Sequence, residues 1–284
     1  MSPRLLSGAA LAAIALCACG KRPACREGQA AASVRSLPSQ VSAEAGQRIH
    51  AHAHNDYEHP RPLQDALDQR FYSVEADVYF DRGNFKVAHS SWDASKGSLK
   101  DLYLDPLQAR VDAAGSVYGD GERFTLWIDI KDSDPAMPDA LRQLLDGFSM
   151  LSRFTDQGST PGPVTAVLTG DAGMKAAVVA APDRRAVRDS NDYAPDDPPF
   201  DGRWGFYALS WGSYLDWGGS GALPEADRAR MACIAENAHA GGRQVRFYAT
   251  PDRSEDWQAE LANGTDFINS DHLAELSAVL ASAP

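Results

Sequence analysis

The sequence predicts an α/β protein that folds as a single TIM (β/α)8 barrel. Short apolar runs alternate with amphipathic stretches from residue 47 onward, over roughly the 230 residues that one such barrel needs. The turn after the first predicted strand, HAHNDYEHP, lacks a glycine-rich phosphate loop, which disfavours a doubly wound open sheet. Polar residues recur where the predicted strands end, as expected at the rim of a barrel.

Eight runs of apolar and β-branched residues predict the strands, at residues 48–53, 73–79, 124–130, 164–169, 186–188, 205–210, 244–249 and 266–269. Helices are predicted between them, at residues 63–69, 138–152, 172–180, 225–240, 254–262 and 272–281. Pro62 suits the start of the first helix, and Gly241-Gly242 ends the fourth. The fifth strand is the weakest, and residues 189–203 are expected to form a loop without core residues.

Composition excludes one class of partner. The chain carries a formal net charge of −12 and no long basic run. An acidic surface repels a phosphate backbone, so we expect no nucleic-acid partner. An anionic substrate would need a local positive site, such as a bound cation.

The N-terminus predicts export. Residues 1–18 have a positive residue and an apolar stretch of secretory-signal length, too short for a confident membrane span. Leu16 to Cys19 resemble a bacterial lipobox, so Cys19 is expected to be lipidated and to anchor the protein to a membrane; an ordinary cleaved signal peptide is the alternative. Either way we expect an extracytoplasmic protein, on the periplasmic side of the envelope, at the cell surface or secreted.

Residues 19–46 are rich in Ala, Ser and Gly and predict a flexible tether, which leaves residues 47–284 for the barrel. Cys25 and Cys233 can form a disulfide in an oxidising compartment. A buried free thiol at Cys233 is the alternative that the helical context favours slightly.

Three acidic residues predict a metal site. Glu75 and Asp77 lie two apart on a strand and therefore share a face, and Asp129 occupies the end of the next strand. Carboxylates crowded at a barrel rim repel each other, and a hard divalent cation relieves that repulsion. Oxygen ligands favour Mg²⁺ or Ca²⁺. Ion pairs with Arg or Lys are the alternative explanation.

Two histidines and a lysine complete the candidate site. His54 ends the first strand and His89 follows the hairpin after the second strand, so both can reach one site. Imidazole titrates near neutral pH and serves as acid or base. Lys131 shares the face of Asp129 and is placed either to neutralise a phosphoryl oxygen or to form a salt bridge with Glu75 or Asp129.

These residues resemble the motif set of the glycerophosphodiester phosphodiesterase and phosphatidylinositol-specific phospholipase C-like superfamily, whose members have a TIM-barrel fold. The matching groups are His54-Asn55, Glu75-Ala76-Asp77, His89-Ser90 and Asp129-Ile130-Lys131, with a terminal Gly-x-Asp-x-Ile-x-Ser-Asp run at residues 264–271. The run HAHNDYEHPRPLQDAL is closer to the branch related to the altered-inheritance-of-mitochondria proteins. Asn55 stands where the diesterases carry a phosphate-binding arginine, so glycerophosphodiester specificity is not implied.

The resemblance implies a metal-dependent phosphodiester hydrolase that acts on a glycerophosphodiester, a phospholipid headgroup or a related small phosphodiester. Glu75, Asp77 and Asp129 would hold the metal. His54 and His89 would share the acid and base roles, with the assignment between them open. The resemblance leaves the product type, the exact metal and the oligomeric state open.

Two rival functions use the same barrel. An amidohydrolase would use the His52-x-His54 pair as zinc ligands, but no histidine occurs between residues 90 and 238 to supply further ligands. A non-catalytic, lipid-anchored binding protein is the other rival. For it, the aromatic cluster of Trp204, Trp211, Tyr214 and Trp217 would line a ligand loop rather than pack in the core.

Overall fold

The computed structural model describes residues 48–282. Its strands are β1 (Arg48–Ala53), β2 (Phe71–Asp81), β3 (Asn84–Val87), β4 (Gly97–Ser98), β5 (Phe124–Ile130), β6 (Arg153–Thr155), β7 (Gly158–Thr160), β8 (Val164–Gly170), β9 (Asp183–Arg184), β10 (Ala186–Ser190), β11 (Trp204–Ser210), β12 (Gln244–Tyr248) and β13 (Ile268–Ser270). The helices are α1 (Gln64–Asp68), α2 (Asp105–Ala114), α3 (Met137–Asp146), α4 (Ala172–Val179), α5 (Trp211–Tyr214), α6 (Glu225–Ala240), α7 (Ser254–Ala262) and α8 (Leu273–Ser282).

Eight parallel strands make the central sheet, in the spatial order β12-β11-β10-β8-β5-β2-β1-β13. A parallel bridge between Arg246 and Phe267 joins the two ends of this order. Helices follow the strands on the outer face, except between β10 and β11, which an irregular loop of residues 191–203 connects. The fold is therefore the predicted (β/α)8 barrel.

Strand alternation separates two cores. Aromatic and β-branched side chains fill the barrel interior around Trp127, which packs edge-on against Phe206 and Phe267. Leucine, valine and alanine side chains of the opposite strand faces form a larger core with the helices. Alternate residues of a barrel strand face the interior. Asp129, two residues after Trp127 on β5, therefore points into the mouth of the barrel.

Most predicted elements coincide with observed ones, and two predictions are wrong. The helix predicted at 138–152 ends at Asp146; after Gly147 the chain turns, and Leu151 pairs with Val164 of β8. The supposed loop at 189–203 begins with the last two residues of β10. It contains the fully buried Asp189 and the nearly buried Tyr193, so it does contribute core residues.

The sequence pattern did not reveal α2 or the small antiparallel sheet of β6, β7 and β9. Among the residues of α2, only Leu107 is buried, so the helix has almost no apolar stripe to detect. Strands of two or three residues are likewise too short to show alternation.

Cys233 is partly buried on α6 and disulfide-bonded, so the alternative of a buried free thiol is wrong. Cys25 lies outside the described residues, as do the predicted signal peptide, Cys19 and the tether. Within residues 48–282, no helix is long and apolar enough to cross a membrane.

The predicted aromatic cluster is mainly part of the core. Trp211, Tyr214 and Trp217 are at most 7% exposed, and they pack with apolar residues of α6, β11 and β12. Trp204 stacks under the guanidinium of Arg243, at 3.8 Å from ring centroid to Cζ. The packing explanation of these aromatics is therefore confirmed.

Two buried carboxyls on α7 predict how stability depends on pH. Glu260 is fully buried and neither of its carboxylate oxygens has a partner among the described residues. Burial, reinforced by the charges of Asp256 and Asp252, raises the pKa of Glu260 well above its usual value. Burial also raises the pKa of Asp256 to about 6.

A carboxyl whose pKa is higher in the folded than in the unfolded state favours folding in its protonated form. Its contribution is complete below about pH 4 and is lost as the pH rises through the folded-state pKa. We therefore expect the melting temperature of the wild type to fall between pH 5 and pH 8. Glu260→Gln should flatten this dependence and raise stability at pH 8 by about 1 kcal/mol, or roughly 2–4 °C. Thermal unfolding followed by circular dichroism measures both, with the exposed Glu275→Gln as control; equal pH slopes for all three proteins would refute the prediction.

Candidate active site

Three carboxylates meet at the mouth of the barrel. Glu75 and Asp77 are separated by one residue on β2, and β2 pairs with β5 so that Asp77 lies beside Asp129. One carboxylate oxygen from each of the three lies within 4.8 Å of the other two. Glu75 and Asp77 are almost completely buried, and Asp129 is partly buried. The structure thus brings together the three residues that strand parity singled out.

Arg246 pairs with the deepest of these acids. Its Nη1 and Nη2 atoms donate to Glu75 Oε2 and Oε1 at 2.9 and 3.1 Å, and both side chains are about 3% exposed. Burial alone would raise the pKa of Glu75, but the guanidinium, with His52 and His54, holds that pKa well below its usual range. Glu75 is therefore ionised and fixed in orientation.

Asp77 and Asp129 carry less compensated charge. Lys131 Nζ lies 2.6 Å from Asp129 Oδ2 and 3.1 Å from Asp77 Oδ2, which confirms the salt bridge to Asp129. Asp77 Oδ1 and Asp129 Oδ1 are buried without a hydrogen-bond partner among the described residues. Burial, with repulsion by Glu75 and Asp129, raises the pKa of Asp77 to about 7, and burial with Glu75 raises that of Asp129.

His54 reaches the site because of strand register. Ala53 of β1 lies beside Ser270 of β13, so the next residues of the two strands, His54 and Asp271, are neighbours. His54 Nδ1 donates to Asp271 Oδ1 at 2.9 Å, and Nε2 lies 3.9 Å from Glu75 Oε2. Burial acts against protonation, but the bond to Asp271 and the charge of Glu75 raise the pKa of His54.

His89 reaches the site through a hairpin. Arg82 and Gly83, both at positive φ, turn the chain so that β3 runs back along β2. The amide of Ala88 then bonds to the carbonyl of Asp77, and the next residue, His89, has Nδ1 3.9 Å from Asp77 Oδ2. Its side chain is 62% exposed, so it is open to a ligand.

His52 lies below the carboxylates and is fully buried. Its Nδ1 bonds to Ser73 Oγ at 2.7 Å, and its Nε2 contacts Arg246 and Glu75. Burial, with the nearby charge of Arg246, lowers the pKa of His52 to about 3, so the ring is neutral. A nitrogen that faces a guanidinium is a poor metal ligand, which weakens the amidohydrolase alternative.

Two residues at the site were missed by the sequence analysis. Arg246 sits in the apolar strand QVRFY, where an inward-facing arginine among apolar residues was the only available signal. Tyr57, in the short 3₁₀ turn after β1, is fully buried, yet its hydroxyl contacts both Asn55 and His89. Nothing in its sequence context distinguishes it from a core tyrosine.

A glycine leaves room for Asp129. Gly170 ends β8 at φ +83°, and a Cβ at this position would overlap Asp129 Oδ1 and the carbonyl of Ile130. Any side chain here would displace the carboxylate or distort β5.

We therefore expect Gly170→Ala to destabilise the fold by about 2 kcal/mol or more and to weaken divalent-cation binding at least about 10-fold. Gly121→Ala is the matched control, because Gly121 has φ +82° but a Cβ added there would meet nothing within 4 Å. Urea unfolding and calorimetric titration with Mg²⁺ measure the two effects. Equal losses in both variants would show that backbone strain, and not the contact with Asp129, is responsible.

Comparison with known proteins agrees with this geometry. A family model described as the AIM6-like phosphodiesterase domain matches residues 41–189, which include all three carboxylates, His54, His89 and Lys131. The chain belongs to this family. The resemblance inferred from the motifs, including the branch, is therefore confirmed.

Two curated relatives support the assignment. The altered inheritance of mitochondria protein 6 homolog of Arthroderma benhamiae is 30% identical over 175 residues, covering 53% of this chain and 53% of the relative. The altered inheritance of mitochondria protein 6 of Lachancea thermotolerans is 24% identical over 275 residues, covering 80% of this chain and 64% of the relative. The chain thus spans between half and two thirds of the length of these relatives.

A solved structure supports the fold. Glycerophosphodiester phosphodiesterase from Agrobacterium tumefaciens superposes with a TM-score of 0.50 at 16% identity, covering 81% of this chain and 99% of that chain. At this identity the likeness concerns the barrel alone.

The residues at the barrel mouth fit a hard divalent cation. Three carboxylates share only two permanently charged side-chain partners, Lys131 and Arg246, and their mutual repulsion contributes to the raised pKa of Asp77. The buried oxygens of Asp77 and Asp129 that lack partners are free to coordinate. Glu75 retains lone pairs beside those that Arg246 occupies. An all-oxygen set of this kind suits Mg²⁺ or Ca²⁺ better than zinc.

Proposed function

We propose that this member of the phosphodiesterase family is a metal-dependent phosphodiester hydrolase that uses two histidines for proton transfer. The observation that carries the proposal is the convergence of three carboxylates with His54 and His89 on one rim of the barrel. The substrate class is a small phosphodiester: a glycerophosphodiester, a phospholipid headgroup or a related compound.

Glu75, Asp77 and Asp129 would hold the cation. When bound, it would supply positive charge to a non-bridging phosphoryl oxygen and so stabilise the charge that develops there during displacement. Arg246 keeps Glu75 ionised and oriented. Lys131, 31% exposed beside Asp77 and Asp129, is placed to neutralise a second phosphoryl oxygen.

The two histidines act on opposite ends of the displacement. One takes a proton from the attacking hydroxyl or water, and the other gives a proton to the departing alkoxide. Asp271 accepts the Nδ1 proton of His54, which leaves Nε2 of that ring as the nitrogen that exchanges a proton. His89 lies beside Asp77 at the end of the hairpin, whereas His54 lies beside Glu75.

The setting of the enzyme is part of the proposal. The predicted signal sequence and the resemblance of residues 16–19 to a lipobox favour an extracytoplasmic protein anchored through Cys19, which would keep the barrel near membrane lipids. A lipid or lipid-derived phosphodiester is therefore a natural substrate.

A panel of phosphodiesters tests the proposal. Glycerophosphocholine, lysophosphatidylcholine, phosphatidylinositol and bis(4-nitrophenyl) phosphate are incubated with enzyme and Mg²⁺, Ca²⁺ or EDTA, and phosphate-containing products are resolved by ³¹P NMR. We expect turnover of at least one diester that EDTA abolishes and that His89→Ala lowers by about 10²-fold or more. His239→Ala is the matched control, because His239 pairs with Asp266 where β12 begins. Equal, metal-independent rates in wild type and His89→Ala would refute the proposal, and tightly bound zinc would favour the amidohydrolase alternative.

A further inference from the structure

The hydroxyl of Tyr57 joins two polar groups of the site. Tyr57 Oη lies 3.0 Å from Asn55 Oδ1 and 3.1 Å from His89 Nδ1. The ring of Tyr57 is fully buried, so its hydroxyl is held in place. The ring of His89 is largely exposed, and Nδ1 is its only nitrogen with a hydrogen-bond partner among the described residues.

The Tyr57 hydroxyl has a single proton, and the group that accepts it determines which nitrogen of His89 carries hydrogen. Asn55 Oδ1 is only an acceptor, and the carboxylate of Asp77 is a second acceptor near the hydroxyl, so Tyr57 donates its single proton to one of these two groups and not to His89. The hydroxyl oxygen can then only accept from His89, which requires a proton on Nδ1. The carboxylate of Asp77, 3.9 Å from Nδ1, favours a proton on the same nitrogen.

The same contacts orient Asn55. This residue adopts a left-handed conformation, φ 45° and ψ 41°, which asparagine tolerates better than most residues. Because its Oδ1 is occupied by Tyr57, its amide Nδ2 is turned away from Tyr57 as a free neutral donor. Asn55 directly follows His54, so this donor lies at the rim of the site.

We propose that Tyr57 is a positioning residue that fixes the Nδ1–H tautomer of His89, leaves Nε2 as the nitrogen that exchanges a proton with substrate, and directs the Asn55 amide toward the phosphodiester. The proposal rests on the proposed function for its catalytic consequence. The tautomer itself is a property of the protein without substrate, so the two can be tested separately.

Histidine tautomers are read directly from two-bond ¹H–¹⁵N correlations of protein labelled at its histidines. In metal-free wild type, at a pH where the ring is neutral, we expect His89 to show a protonated Nδ1 and an unprotonated Nε2. In Tyr57→Phe, which keeps the buried ring and loses the hydroxyl, His89 should shift toward a mixture of tautomers. Signals are assigned by comparison with His89→Ala.

A second variant changes the acceptors available to the Tyr57 hydroxyl without changing Tyr57 itself. Asn55→Gly accepts the left-handed backbone and removes the amide acceptor, so Tyr57 then donates either to Asp77 or to His89 Nδ1. The expected result is a larger share of the Nε2–H tautomer of His89 than in the wild type. This variant also keeps the test decisive if Tyr57→Phe does not fold.

Kinetics with the diester that the panel identifies supply the second readout. We expect Tyr57→Phe to lower kcat by about 10-fold or more, because His89 loses its fixed orientation, and to raise KM, because Asn55 is released. Tyr118→Phe is the matched control: its hydroxyl donates to the backbone carbonyl of Phe71 at 2.6 Å, where β2 begins, so both kcat and the tautomer should stay at wild-type values.

Either of two results would overturn the proposal: an Nε2–H tautomer of His89 in the wild type, or the same tautomer and the same kcat in wild type and Tyr57→Phe. A protein that shows the expected tautomers but hydrolyses no diester would refute the proposed function and leave the positioning role of Tyr57 intact.

Discussion

Asp77→Asn is expected to abolish divalent-cation binding and phosphodiester hydrolysis while making the metal-free protein more stable. Both effects have one cause. Asp77 is 1% exposed, its Oδ1 has no partner among the described residues, and it lies beside the carboxylates of Glu75 and Asp129. The buried negative charge of Asp77 destabilises the metal-free protein, and we attribute its presence to cation binding.

The expected loss of activity is about 10³-fold or more, since a bound cation supplies several kcal/mol of transition-state stabilisation. The expected gain in stability of the metal-free protein is about 1–3 kcal/mol at pH 8, because the pKa of Asp77 is raised to about 7 and the ionised form opposes folding above that pH. Lys131 keeps its shorter contact with Asp129, so the amide leaves no cation unpaired.

Calorimetric titration with Mg²⁺ and Ca²⁺, urea unfolding and the diester assay measure these effects. Asp139→Asn is the control, because Asp139 is 84% exposed on α3 and should change none of the three measurements appreciably. If Asp77→Asn binds cations as tightly as the wild type, Asp77 is not a ligand. If Asp77→Asn is less stable than the wild type, the carboxylate of Asp77 stabilises the fold.

Arg246→Met is expected to cause the largest loss of stability, about 3–5 kcal/mol, because it leaves the ionised Glu75 buried without its guanidinium partner. The contact is bidentate and lies 3% exposed inside the barrel. The methionine side chain fills a volume similar to that of arginine, so the loss of stability reflects mainly the unpaired charge of Glu75. Arg246 Nη1 also bonds to Asn269 Oδ1 at 3.3 Å, a weaker contact that the variant removes as well.

A double variant separates charge from packing. Adding Glu75→Gln to Arg246→Met should recover about 2 kcal/mol or more of the loss, since no unpaired charge remains, but should not recover activity, since a metal ligand is gone. Arg228→Met, which breaks an exposed pair with Glu225 on α6, should change stability by less than about 1 kcal/mol. Urea unfolding of the wild type and these three variants tests the prediction: a double variant no more stable than Arg246→Met would mean that the arginine acts through packing.

The predictable part of this site comes from local rules. Strand parity alone puts Glu75 and Asp77 on one face, and a parallel neighbour strand that ends in an acid brings Asp129 to them. The hairpin after β2 was visible as a turn between two short runs, and it determines where His89 falls. These features involve residues close in sequence or in adjacent strands.

The remaining features depend on contacts distant in sequence. Arg246 and Glu75 are 171 residues apart, and only barrel closure makes them neighbours. The role of Tyr57 depends on the left-handed conformation of Asn55, which no periodicity reveals. The prediction that α3 extends to residue 152 was wrong for a related reason. Leu151 is apolar because it is buried beside β8, and not because it continues the helix.

A crystal structure of the protein grown with Mn²⁺ and inorganic phosphate, with the cation located by its anomalous signal, tests the metal site directly. We expect one peak bound by oxygens of Glu75, Asp77 and Asp129, with a phosphate oxygen completing its coordination and both His54 and His89 facing the anion. A barrel mouth with no anomalous peak at millimolar Mn²⁺, and with Lys131 still bridging Asp77 and Asp129, would contradict this expectation.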